Sequence, residues 1–119
     1  MNTKAKILIT DDEKIVRESL LHWFEEDGYN VEIASSGEEA LAKFEKGKYD
    51  LVLTDMKMPG LSGLELLKKI KEIDENCIVI LITAYASVPS AIKALKDGAY
   101  DYVTKPIDPD ELAHLVEKA

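Results

Sequence analysis

Three carboxylates, a hydroxyl and an amine stand at corresponding points of a 119-residue chain, each just after a short apolar run. Set on their threonines, the runs end Thr10-Asp11-Asp12, Thr54-Asp55, Thr83-Ala84 and Thr104-Lys105-Pro106. Carboxylates gathered at one edge repel and raise one another's pKa unless a cation sits among them. All-oxygen ligation with few protein groups suits Mg²⁺, which keeps several waters and tolerates one or two carboxylates. Taken singly, each residue has a plainer role. An aspartate after a strand caps the next helix, a threonine satisfies its own backbone, and a lysine ends in solvent. Their coincidence at four run ends is what points to chemistry.

For these groups to meet, the runs must be strands of one sheet. Ile7-Leu8-Ile9-Thr10, Leu51-Val52-Leu53-Thr54, Ile80-Leu81-Ile82-Thr83 and the weaker Tyr102-Val103-Thr104 are continuous aliphatic and β-branched runs, the pattern of strands covered on both faces. Val31-Glu32-Ile33-Ala34 alternates, which predicts an edge strand. The gaps between successive strand starts each leave room for one helix. Ser36-Gly37-Glu38-Glu39 and Ser62-Gly63-Leu64-Glu65 predict capping boxes, and Asp108-Pro109-Asp110-Glu111 places proline at a first helical position. Behind these starts lie stripes at Ala40, Leu41 and Phe44, at Leu67, Ile70 and Ile73, and at Leu112, Leu115 and Val116. A first helix is predicted from about Glu13 to Asp27, burying Val16, Leu20 and Phe24 and stopping at Gly28. Pro89 fits only the first turn of a fourth helix. Gly60 and Gly63 mark the turn that follows the third strand, with solvent-exposed backbone the plainer reading of both. The alternation is that of an α/β fold, an open doubly wound five-stranded parallel sheet, (βα)₅, whose ligand site lies at the carboxyl ends of the strands. A closed barrel would need eight units.

Composition narrows the partners. Twenty-three acidic against fifteen basic residues leave a formal charge of −8, which argues against direct binding of nucleic acid by this domain. The short first apolar run suits neither a signal peptide nor a membrane span, so a cytoplasmic location is expected. One domain over 1–119 is the expected organisation. Cys77 is alone and reads as a small core residue, and His22 and His114 read as helix-surface residues.

Four stretches carry a resemblance over essentially the whole chain: Ile-Leu-Ile-Thr-Asp-Asp-Glu, Leu-Val-Leu-Thr-Asp-Met-Lys-Met-Pro-Gly, Leu-Ile-Thr-Ala and Asp-Tyr-Val-Thr-Lys-Pro. In that order and spacing the sequence resembles the receiver domain of bacterial two-component response regulators, and around Thr83-Ala84-Tyr85-Ala86-Ser87 most resembles the nitrogen-regulation class of transcriptional activators. The resemblance implies a flavodoxin-like strand order 2-1-3-4-5. It implies that Asp55 accepts a phosphoryl group and that Asp12, Asp55 and the backbone carbonyl of Lys57 bind Mg²⁺, with Asp11 holding the metal through water. Thr83 and Lys105 then contact the phosphoryl oxygens, Tyr102 is the switch aromatic, and the Lys105-Pro106 bond is cis. Ala84 leaves space for Thr83 to move. A carboxylate attacks phosphorus to give a mixed anhydride when a divalent cation neutralises charge on the equatorial oxygens. The implied phosphodonor is a histidine kinase or phosphotransfer protein, and the implied activity is at most self-phosphorylation and self-dephosphorylation. Dimer and output contacts are expected on the fourth helix, fifth strand and fifth helix, with an output domain C-terminal to the receiver. A haloacid-dehalogenase-like phosphatase would need an acid where Lys57 stands. A flavodoxin-like cofactor carrier would need a phosphate cradle where Asp11-Asp12-Glu13 repels one. A degenerate receiver acting only as an interaction module would lack the intact acidic set.

Overall fold

In a computed structural model the capped amphipathic segments and aliphatic runs alternate as β1 (Lys6–Thr10), α1 (Lys14–Glu26), β2 (Asn30–Ala34), α2 (Gly37–Lys43), β3 (Leu51–Asp55), α3 (Gly63–Ile73), β4 (Ile78–Thr83), α4 (Val88–Lys96), β5 (Asp101–Thr104) and α5 (Pro109–Lys118). The structure describes residues 5–56, 58–84, 88–105 and 107–118. All strand pairs are parallel and the order is β2-β1-β3-β4-β5. The order reverses between β1 and β3, which opens a crevice beyond their carboxyl ends. Among the described residues no helix is long and apolar enough to cross a membrane.

The central strands are apolar on both faces because helices cover both. Successive side chains alternate, so Leu8, Val52 and Leu81 join Ala40, Leu66, Leu67 and Ile70 in one core layer. Ile7, Ile9, Leu53, Ile80 and Ile82 join Leu20, Phe24, Leu112 and Val116 in the other. Each such aliphatic side chain, withdrawn from water, contributes about 1.5–3 kcal/mol.

Helix punctuation largely follows the sequence. At α3 the Ser62 hydroxyl accepts from Glu65 N–H and the Glu65 carboxylate accepts from Ser62 N–H, a full capping box. At α2 only half of the expected box forms. Ser36 accepts from Glu39 N–H at 3.0 Å, but the Glu39 carboxylate turns to the N–H and hydroxyl of Ser35, both at 2.8 Å. Ser35 offers two donors where the Ser36 backbone offers one. At α5 the Asp108 carboxylate accepts from Asp110 and Glu111 N–H behind Pro109. The α3 stripe is rotated from expectation. Leu66, Leu67 and Ile70 are buried while Ile73 is 40% exposed, since 66 lies one turn before 70 and the helix ends at 73. In α1, Leu20 and Phe24 are buried, Val16 packs at the margin, and Gly28 terminates the turn at φ 93°.

Candidate functional site

Register decides which strand-end residues meet. Thr10 pairs with Thr54, so Asp11 and Asp55 leave β1 and β3 at one level. β4 is offset from the threonine alignment: Thr54 faces Leu81 and Asp55 faces Ile82. Thr83 therefore stands one residue past the partner of Asp55, level with Thr104. Lys105 N–H donates to the Thr83 carbonyl at 2.8 Å, which fixes where the lysine leaves β5.

The exit of β3 is held just as closely. Met56 N–H donates to Ile82 O at 2.7 Å, and Gly63 N–H donates to Met56 O at 2.9 Å. A Cβ on Gly63 would lie 2.1 Å from the Asp55 carbonyl oxygen. Gly63 is thus buried rather than part of an exposed turn, and its missing side chain lets α3 begin against the backbone of Asp55. Gly60, at φ 76°, does lie in the exposed turn.

Asp11 is fully buried and Asp55 is 6% exposed, while Asp12 and Glu13 face solvent. Asp11 Oδ1 accepts from Glu13 N–H at 2.8 Å, and the Asp11 carbonyl accepts from the Arg17 guanidinium at 2.8 Å. Asp11 Oδ2 is buried without a well-directed hydrogen bond, though the Lys105 ammonium lies 3.2 Å away. The same ammonium reaches Glu13 Oε1 at 2.9 Å and Asp55 Oδ2 at 3.3 Å. Burial pushes the Asp11 carboxyl above its usual range and the Asp55 charge adds to this, against the opposing Glu13 N–H and Lys105. For Lys105 burial works downward, but the hydrogen bond to Glu13 and the charges of Asp11 and Asp55 outweigh it and raise its pKa. The lysine is a fixed cation.

Carboxylate oxygens of Asp11, Asp12, Glu13 and Asp55 all lie within 4.8 Å of one another. Buried acids form the floor and exposed acids the rim, so a hard cation would find oxygen ligands below and water above. Asp11 Oδ2, buried beside the Lys105 ammonium but without a directed hydrogen bond, keeps lone-pair capacity that fits this donor set to Mg²⁺. Thr83 is 1% exposed at the neighbouring strand end and Ala84 is exposed. Tyr102 is partly buried against the core layer that contains Leu81, Ala94 and Ala99. The structure thus brings Asp11, Asp12, Asp55 and Lys105 together and sets Thr83 next to them. Lys57 and Pro106 lie outside the described residues, as does Tyr85. Glu13 is the residue that sequence reasoning passed over, although a third acid after Asp11-Asp12 was a visible signal. Cys77 is buried and its thiol is pushed up to about 12 by burial, which leaves it inert. His22 is a surface residue, 3.0 Å from Glu26.

Comparison with known proteins agrees with this geometry. The family described as the response regulator receiver domain matches residues 7–117. The chain is 43% identical to the regulatory protein AtoC of Escherichia coli over 119 residues, all of this chain but 26% of AtoC. It is 42% identical to sporulation initiation phosphotransferase F of Bacillus subtilis, covering 95% of this chain and 91% of that protein. The structure of response regulator TrrA from Thermotoga maritima, in complex with Mg²⁺ and beryllofluoride, superposes with a TM-score of 0.87 at 42% identity, over 97% of this chain and 98% of that one. The chain therefore spans about a quarter of the length of AtoC and most of the phosphotransferase.

Proposed function

The chain belongs to the response regulator receiver family, and from that premise we propose that residues 1–119 form one phosphoacceptor domain in which Asp55 takes a phosphoryl group from a phosphohistidine. The observation that carries this reading is the Lys105 ammonium held within 3.3 Å of Asp11 and of Asp55 at the sheet edge. It is a fixed positive charge beside a buried carboxylate nucleophile. Asp55 Oδ attacks phosphorus as the P–N bond to the donor imidazole breaks, and the imidazole leaves with a proton from solvent. Asp12, Asp55 and the Lys57 carbonyl would hold a Mg²⁺ ion, with Asp11 reaching it through water, and a bound ion would neutralise charge on the transferring oxygens. Lys105 balances charge from the other side, and the Thr83 hydroxyl donates to a phosphoryl oxygen. Burial pushes the Asp11 carboxyl upward, and the Lys105 ammonium opposes that push.

The donor is a histidine kinase or phosphotransfer protein. It meets the site over α1, where Ile15 is 81% exposed and lines an apolar groove with Trp23, Ile107 and the Lys105 stem. The output is transcriptional, through a domain C-terminal to the receiver as in the nitrogen-regulation class, and the domain works in the cytoplasm. Catalysis is confined to its own phosphorylation and dephosphorylation. Acetyl phosphate with Mg²⁺ is expected to add one phosphoryl mass to the wild type and none to Asp55→Asn. A mass gain of equal rate and stoichiometry in Asp55→Asn would overturn the assignment.

A further inference from the structure

Of the three carboxylates on the Lys105 ammonium Glu13 is the nearest, at 2.9 Å, against 3.2 Å to Asp11 and 3.3 Å to Asp55. An ammonium has three protons, and three carboxylates compete for them. Glu13 occupies the N-cap of α1, where a side chain ordinarily accepts a backbone N–H, yet it makes no cap hydrogen bond. Its own N–H is taken by Asp11. Its carboxylate is spent instead on a lysine from the far end of the chain. Glu13 is also placed to pull outward: its side chain is 62% exposed, that of Lys105 only 14%.

Resting on the reading of Asp55 as acceptor, we propose that Glu13 is a positioning residue that holds the Lys105 ammonium toward the rim of the unphosphorylated site, so that phosphoryl oxygens must draw the lysine away from it. Glu13 thereby lowers the affinity of the site for the phosphoryl group and weights the switch toward its resting state. The effect has to run through Lys105. A carboxylate acting only as bulk negative charge would repel the same oxygens whether or not the lysine were present.

Glu13→Gln keeps the shape and removes the charge. Affinity for beryllofluoride in saturating Mg²⁺, followed by amide shifts, is expected to tighten about three- to fivefold, the scale of a partly exposed ion pair. In a Lys105→Met background the same substitution is expected to change affinity less than twofold. Unchanged affinity in Glu13→Gln, or an equal gain with and without the lysine, would overturn the positioning role. A wild type that neither binds beryllofluoride nor gains mass from acetyl phosphate overturns the phosphoacceptor reading and this inference with it. Wild-type binding with an unmoved Glu13→Gln overturns this inference alone.

Discussion

Asp11 and Asp12 are adjacent in sequence and opposite in surroundings, one fully buried above β1, the other facing solvent. Burial makes Asp11 part of the floor: it anchors Glu13 N–H and balances Lys105. Asp12 has no such structural duty, so removing it should act on the cation and little else. Asp12→Ala is expected to weaken Mg²⁺ binding by about tenfold or more, no less than loss of an outer-shell partner costs. Stability should stay within about 0.5 kcal/mol of wild type or rise as carboxylate repulsion is relieved. A Mg²⁺ titration followed by Trp23 fluorescence, paired with urea unfolding, separates the two, and an unchanged affinity would remove Asp12 from the metal site. The acidic residues and Lys105 were legible in the sequence because each ends an apolar run, and parallel strands bring run ends to one edge. The two-residue offset of Thr83 was not, because register between β3 and β4 depends on how their side chains pack. Glu13 was missed because a helix N-cap says nothing about where a long side chain reaches.

Elements were legible where punctuation and periodicity agreed, as at α3, whose capping box and stripe both mark one start. They were less so where two local partners competed. The Glu39 carboxylate chooses Ser35 over Ser36, and that choice ties the end of β2 to the first turn of α2. The backbone N–H of Ser35, with its hydroxyl and Lys43 adding to it, holds the Glu39 carboxyl down to about 2. A folded-state pKa below the unfolded value of 4.5 contributes stability at neutral pH. That stability is complete above the unfolded pKa and is lost as pH falls through the folded one. Because the Glu39 side chain is 41% exposed, the contribution is set at about 1 kcal/mol after solvent screening. Unfolding free energies of wild type and Glu39→Gln from urea titration are expected to differ by this amount at pH 7, with the gap about halved near pH 3. A gap constant across that range would mean that shape, not charge, ties the two elements. Gly63 shows the opposite limit of legibility. Its letter announced a turn, but only the packed backbone reveals that a helix start is pressed against Asp55.

At the scale of the molecule, the proposed phosphoryl site has to be coupled to a surface. The carbonyl of Thr83 is bonded to Lys105 N–H, Thr83 pairs with Thr104, and Tyr102 pairs with Leu81. One short stretch of β4 and β5 thus links the site to α4, where Ile92 and Leu95 are 48% and 47% exposed, with Tyr100 at 46% just beyond. These exposed side chains are apolar content that the proposed dimer or output contact on α4, β5 and α5 could bury. The strand order, and hence this adjacency, followed from the resemblance, whereas which α4 residues stay uncovered required the structure. A phosphoryl group shifts the population only through contacts it makes better in the active arrangement. In the proposed switch the Thr83 hydroxyl would supply one such charge-assisted contact, about 1.5–3 kcal/mol, or roughly ten- to a hundredfold in the equilibrium. In the same proposed switch Tyr102, partly buried against the Leu81 layer, turns inward once Thr83 moves toward the phosphoryl oxygens. Thr83→Ala is therefore expected to accept a phosphoryl group on Asp55 normally within a fewfold, while most of the beryllofluoride-induced amide shifts over residues 88–103 disappear. Full-size shifts in that variant would show that another residue carries the signal. Loss of acceptance itself would show that the hydroxyl serves the transfer step and not the switch.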